Sequence, residues 1–171
     1  MRNLSRKKLI YFSTIAILII ILCIGIIINQ YNRKRININK FSQFMLSSSI
    51  YGSDMKELDI ANIHEHYRGV NAPDILEGKV FVSTDGTARE FSIIEANGAQ
   101  STDDIQKAFE IYCSELLKKY QLESTEEYER MKGYSIQRTR NYIILTISDR
   151  IGNGYKISDF YLDKTKYDRR N

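Results

Sequence analysis

The chain's only two histidines, His64 and His66, flank Glu65, and these are residue types from which metal sites and general acid–base pairs are built. Side chains two positions apart diverge by about 200° on a helix but share a face on a strand, so a chelating pair requires this segment to be extended. No cysteine lies near them and no HExxH spacing occurs, so solvated histidines are expected rather than ligands. Cys113 is the one thiol beyond Cys23, and it falls beside an apolar helical stripe, where a thiol serves as a small packing residue. Asp103 and Asp104 are neighbouring carboxylates in a first helical turn, a position the helix dipole favours for any acidic side chain. Asp85-Gly86-Thr87 is too short to cradle a phosphate and reads as a turn. Of ten tyrosines in the second part of the chain, Tyr51, Tyr67, Tyr120, Tyr128, Tyr155, Tyr161 and Tyr167 lie off the clearest apolar faces. Exposed tyrosine can stack on sugars or anchor a protein, although tyrosines half-buried at the rim of a small core are the commoner case. The residues assign no catalytic, cofactor-binding or metal-binding position, and the chain reads as a non-enzyme without a cofactor.

What must position these residues begins with Leu9 to Ile28, LIYFSTIAILIIILCIGIII, an uncharged and overwhelmingly apolar run. At 1.5 Å per residue it spans about 30 Å as a helix, the thickness of a bilayer's hydrocarbon core. It ends in Asn29, Gln30 and Tyr31 and then Arg33, Lys34 and Arg35 rather than in small cleavage-site residues, so it is expected to stay attached as a transmembrane helix contacting lipid. Leu22 before Cys23 departs from the small residue that lipidation of a cysteine requires. The organisation expected is a basic cytoplasmic tail (1–8), the transmembrane helix (9–28), a juxtamembrane connector (29–50) and an extracytoplasmic domain (51–171). Arg2, Arg6, Lys7 and Lys8 face Arg33, Lys34, Arg35 and Lys40 across the span. The charge rule is therefore nearly balanced, and the short amino tail tips it toward an inside amino terminus.

The formal charge of +4 disappears once the anchor is set aside: residues 41–171 carry 17 basic and all 21 acidic side chains, a net of −4. An acidic domain has no electrostatic reason to follow a phosphate backbone, which excludes nucleic acid as the expected partner. Its 131 residues suit one domain with its own core. With one thiol outside the span, no intrachain disulfide is expected.

Asn37 to Tyr51 reads as connector with some helical tendency, Asp54 to Tyr67 as short helix or irregular chain, and Gly69 to Gly78, with Pro73, as a loop. Lys79 to Ser83 and Arg89 to Ala96 read as strands joined at Asp85-Gly86 in a tight hairpin. Ile105, Phe109, Tyr112 and Leu116 repeat at helical spacing within a helix over Thr102 to Tyr120, with Ala108 and Leu117 widening the stripe. Ser101 and Asp104 resemble a capping box, Lys118 and Lys119 suit the carboxy-terminal end, and Glu115 is placed to pair with Lys119. Ser124, with Glu127 three residues on, opens a second helix that Gly133 ends. Tyr134 to Arg138 and Tyr142 to Ser148 form a second hairpin whose outgoing strand is apolar on both faces, hence central or covered on both sides. From Ile151 onward only short, fraying structure is expected. The fold class is α+β: a transmembrane helix, then a small antiparallel sheet packed on one long amphipathic helix.

Three segments, GTAREFSIIEA, DDIQKAFEIYCSELLKKYQ and STEEYERMKGYSIQRTRNYIILTISD, between Asp85 and Asp149 resemble the bacterial family designated domain of unknown function 4358. The shared features are a strand ending in an acidic residue, a long helix, an acidic short helix containing Tyr128, and a final strand in which Asn141-Tyr142 leads an apolar run ending in Ser148-Asp149. The resemblance implies a small extracytoplasmic domain of low-GC Gram-positive bacteria held by a lipoprotein cysteine or one membrane helix. It also implies an accessory role beside enzymes that modify surface polymers, with an envelope protein or polysaccharide as partner. The expected function is thus a membrane-anchored, non-enzymatic binding or accessory module of the cell envelope. An envelope enzyme using His64 or His66 with Glu65, or a single-pass sensor, is the alternative.

Overall fold

The computed structural model describes residues 12–26, 35–149 and 153–167, with side chains to Asp163 in the last stretch. The chain divides into two units, Met1–Ile36 and Asn37–Asn171. In the first, residues 12–26 are helical (α1) and every one of them is exposed. Among the described residues no helix is long and apolar enough to cross a membrane. These fifteen helical positions measure only about 22 Å at 1.5 Å each, and the remaining positions of the expected span, 9–11 and 27–28, lie outside the described residues.

The second unit is α+β, with one antiparallel five-stranded sheet and a long helix. In chain order come α2 (Ile38–Leu46), β1 (Met55–Leu58), a 3-10 turn (Ile60–Asn62), α3 (Ile63–His66) and a second 3-10 turn (Ala72–Asp74). They are followed by β2 (Ile75–Ser83), β3 (Glu90–Ala96), α4 (Ala99–Glu123), α5 (Thr125–Met131), β4 (Ser135–Thr139), β5 (Tyr142–Ile147) and α6 (Asn153–Tyr167). The strand order is β1-β2-β3-β5-β4. Every residue of β3 and of β5 is buried, as two central strands covered on both faces require.

Alternation along β3 divides the core in two. Ile94 and Ala96 join Val80, Ile143, Leu145 and Ile147 against Ile105, Ala108, Phe109 and Cys113 of α4 and Met131 of α5. On the opposite face Phe91 stacks on Phe81, 5.3 Å between ring centroids, and meets Phe41 of α2 at 6.0 Å and Tyr51 at 5.8 Å. Tyr161 of α6 closes on Phe41 at 5.1 Å. The sheet is therefore sandwiched between helices on both sides. The packing on α4 is that of the expected sheet on one long helix, and the layer of α2 and α6 on the opposite face is additional to it.

Other expectations are corrected by the same packing. Residues 38–46, read as connector with some helical tendency, form a helix that belongs to the core: Asn37 caps α2 by accepting from Lys40 N, and Phe41 and Met45 are fully buried. The tail expected to be short, fraying structure holds the helix α6, Asn153–Tyr167, which packs where Gly154 meets the sheet. A Cβ there would stand 2.8 Å from Thr146 Cβ and 2.9 Å from the Tyr51 hydroxyl. β1, an edge strand with two exposed residues of four, carries too little apolar pattern to be legible. β2 starts at Ile75 and takes in the last four residues of the expected loop, Ile75 to Gly78. The hairpin at Asp85-Gly86 exists, but it is a longer loop in which Ser83 N–H donates to Arg89 O and Thr87 N–H to Asp85 Oδ1. α4 begins at Ala99 after Gly98, with no side-chain cap, so the Ser101 and Asp104 box does not form; Ser101 instead reaches Asp74. It also runs on to Glu123, which removes Lys118 and Lys119 from the last turn and gives Lys119 to Glu123 at 3.8 Å rather than to Glu115.

Candidate functional site

Glu90 opens β3 on the α4 face and is 2 % exposed, a position a carboxylate occupies only when its oxygens are satisfied. The Tyr67 hydroxyl donates to Oε1, the Tyr112 hydroxyl donates to Oε2 at 2.6 Å, and His66 Nε2 lies 3.1 Å from Oε2. Because the single Tyr67 proton goes to Glu90, the Ser92 hydroxyl must donate to the Tyr67 oxygen, with which it is in contact. Three separate elements deliver these groups. The short helix α3 ends so that His66 and Tyr67 turn inward in succession. One turn of α4 places Tyr112 above them, and strand alternation puts Glu90 and Ser92 on one face. The rings pack as they converge: His66 on Tyr67 at 4.6 Å, His66 on Tyr112 at 4.9 Å, and Tyr67 edge-on to Tyr112 at 5.0 Å.

Burial, reinforced by the Glu90 charge, pushes the Tyr67 and Tyr112 phenols far above their ordinary range, so both are donors at any physiological pH. The same two causes, in the same order, raise the Cys113 thiol and leave it a poor nucleophile. The His66 imidazole reaches toward solvent, its side chain 25 % exposed, and Tyr112 beside it is half-buried. It lies at a cleft of about 100 Å³ between α3 and α4, lined also by His64, Arg68, Ile111, Tyr112 and Glu115. An imidazole backed by a carboxylate is the orienting half of a general-base arrangement, but the lining brings no serine, threonine or cysteine to the ring.

A second polar cluster lies where the β2–β3 loop meets the end of β5. Arg89, also buried, donates from Nη1 to Tyr51 O at 2.9 Å and from Nε to Thr87 Oγ1 at 3.0 Å, and its Nη2 pairs with Asp85. Hydrogen bonds from Ser83 and Thr87, and then the Arg89 charge, hold the Asp85 carboxyl well below the usual carboxylate range. Asp149 Oδ1 stands 3.6 Å from Arg89 Nε and 3.2 Å from Arg130 Nε. Arg130 pairs with Glu127, whose other oxygen accepts from Ala88 N–H at 2.6 Å. Gly52, at φ +71°, gives Arg89 its room: a Cβ there would lie 2.6 Å from Nη1. The cluster ties loop, strand end and α5 together through pairs already formed.

The residues singled out from the sequence are dispersed. α3 is helical rather than extended, so His64 is exposed while His66 points to Glu90, and Glu65 is not its partner. Among the described residues no three metal-ligating side chains converge. Asp103 pairs with Arg138, and Asp104 accepts from Gln100. Tyr51 and Tyr67, placed by the sequence off the clearest apolar faces as tyrosines of the core's rim, are fully buried. Glu90, Arg89 and Arg130 were not singled out. The visible signal for Glu90 was a charged residue sharing strand parity with Ser92 and Ile94 at the head of an otherwise buried strand. Comparison of the chain with family models, with characterised proteins and with solved structures finds no match.

Proposed function

We propose that the chain is a single-pass module anchored by residues 9–28, with its domain on the outer side of a bacterial cell membrane. There it binds an envelope protein or polysaccharide without carrying out a reaction itself. The observation that carries this reading is α1, whose exposed side chains include Phe12, Leu18, Ile21 and Leu22, each at least 60 % exposed. An apolar surface of that kind demands a cover, and the flanking basic collars favour lipid with headgroups on either side. The non-enzymatic part rests on Glu90, whose oxygens already receive Tyr67, Tyr112 and His66 in a buried position and are not offered to a substrate. The resemblance of Asp85 to Asp149 to extracytoplasmic domains supports the outer location and an accessory role in surface-polymer modification.

Alkaline extraction of membranes should leave the chain in the pellet, and a membrane-impermeant maleimide should label Leu122→Cys on intact cells, since Leu122 is 89 % exposed. Release by alkali ends the anchored reading, and absence of labelling ends the outer location. Cross-linking on intact cells followed by detergent purification should recover an envelope protein or glycan; empty captures remove the binding function. The cleft at His66 favours a second reading, a hydrolytic enzyme with His66 and Glu90 as base and orienting carboxylate. His66→Ala that abolishes the cellular function while leaving partner capture intact decides for it.

A further inference from the structure

The chain contains two Asn-Gly pairs, Asn97-Gly98 and Asn153-Gly154. In such a pair the glycine nitrogen, with no Cβ beside it, can close on the asparagine Cγ. We propose that Asn97 is a site of spontaneous deamidation in the folded protein, converted to aspartate and isoaspartate, while Asn153 is protected by the packing of α6. The only co-reactant is water. The Gly98 nitrogen forms a bond to Asn97 Cγ, the Cγ–Nδ2 bond breaks, and the glycine proton leaves with the amide nitrogen as ammonia. Water then opens the resulting succinimide ring, at Cγ to give aspartate or at the main-chain carbonyl carbon to give isoaspartate.

Asn97 is exposed between β3 and α4. The main chain around it is held, Asn97 N–H donating to Asp74 O at 2.8 Å and Gly98 O accepting from Thr102 N–H at 3.0 Å. The reacting groups are not. Among the described residues the Gly98 N–H finds no acceptor, because it stands ahead of the first turn of α4. The Asn97 amide reaches only Pro73 O, at 3.5 Å, the outer limit of a hydrogen bond. Glycine is fixed at position 98 by φ +130°, a conformation that residues with a Cβ rarely adopt, so the turn itself imposes the reactive pair. Isoaspartate would lengthen the main chain by one methylene between the two anchored points.

Asn153-Gly154 is the same dipeptide in different surroundings. Gly154 is buried and its N–H donates to Ser148 Oγ at 3.2 Å. Its close approach to Thr146 and Tyr51 leaves the chain no room to turn the nitrogen toward Cγ. Asp85-Gly86 can form the same ring, but hydrogen bonds from Ser83 and Thr87 hold its carboxylate.

The full-length protein, kept in detergent at neutral pH and sampled over time by peptide mapping, tests the assignment. The peptide containing Asn97 should gain about 1 Da and split into aspartate and isoaspartate forms. It should do so at least about tenfold faster than the peptide containing Asn153, whose reaction waits on local opening of α6. In denaturant the two rates should converge. Equal rates in the folded protein, or earlier change at Asn153, overturn the inference. So does an unmodified Asn97 in folded protein whose denatured form deamidates at both pairs.

Discussion

Glu90 gathers His66, Tyr67 and Tyr112 around one buried carboxylate, partners that are 22 to 24 positions away in sequence. The histidine segment was read with Glu65 because Glu65 is its neighbour in the chain, and Tyr112 was read as part of an apolar stripe because helical spacing reports the ring and not the hydroxyl. Tyr67→Phe removes the buried donor to Glu90 and the acceptor of Ser92; it should destabilise the domain by about 1–3 kcal/mol, measured as a drop in denaturation midpoint at unchanged slope. His66→Ala, at a partly solvated edge, should cost less than about 1 kcal/mol. Equal losses for the two would mean that Tyr67 is not the buried anchor of the cluster. Cys113 should resist thiol reagents in the folded protein and react only on unfolding, as site-resolved mass spectrometry can follow. Rapid native labelling would contradict its raised, buried thiol.

Among the elements, those with strong local signals were legible: α4 from its stripe, α5 from its cap, β3 and β5 from apolar runs. Ser124 does accept from Glu127 N–H, and Ser124→Ala should lower stability by about 1 kcal/mol, read in the same denaturation assay; no change would mean that α5 is set by packing alone. The elements that escaped, β1 and α6, have weak patterns and depend on contacts with distant residues, while α2, read as connector with some helical tendency, has a clear apolar face whose burial against the sheet only the fold supplies. In α6 the buried Ser158 meets Gln137 of β4, and Gly154 lies against Thr146 and Tyr51. Gly154→Ala should therefore force the helix away from the sheet, at a cost of about 1–3 kcal/mol, and increase hydrogen exchange in α6. Unaltered exchange would show that the close approach is not needed.

For the whole molecule, three tyrosines set an alkaline limit. Tyr51, Tyr67 and Tyr112 have pKa values raised in the folded state from the ordinary 10.0, in each case by burial first and the Glu90 charge second. Above about pH 10 the unfolded chain releases these protons while the folded chain holds them, so the unfolded state binds fewer and stability falls as pH rises. Below that pH their contribution is complete. Phenolate absorbance should rise for these three only together with loss of structure, whereas early titration of all ten domain tyrosines would refute their burial. The amino-acid sequence by itself determined the apolar stretch over 9–28, the α+β class, the principal helix and the two hairpins, because periodicity, caps and turn residues act within a few positions of each other. Only the tertiary structure decided the strand order, the second helical layer and the joining of His66, Tyr67 and Tyr112 at Glu90. Burial and side-chain pairing depend on which distant surfaces meet, and no local pattern carries that information.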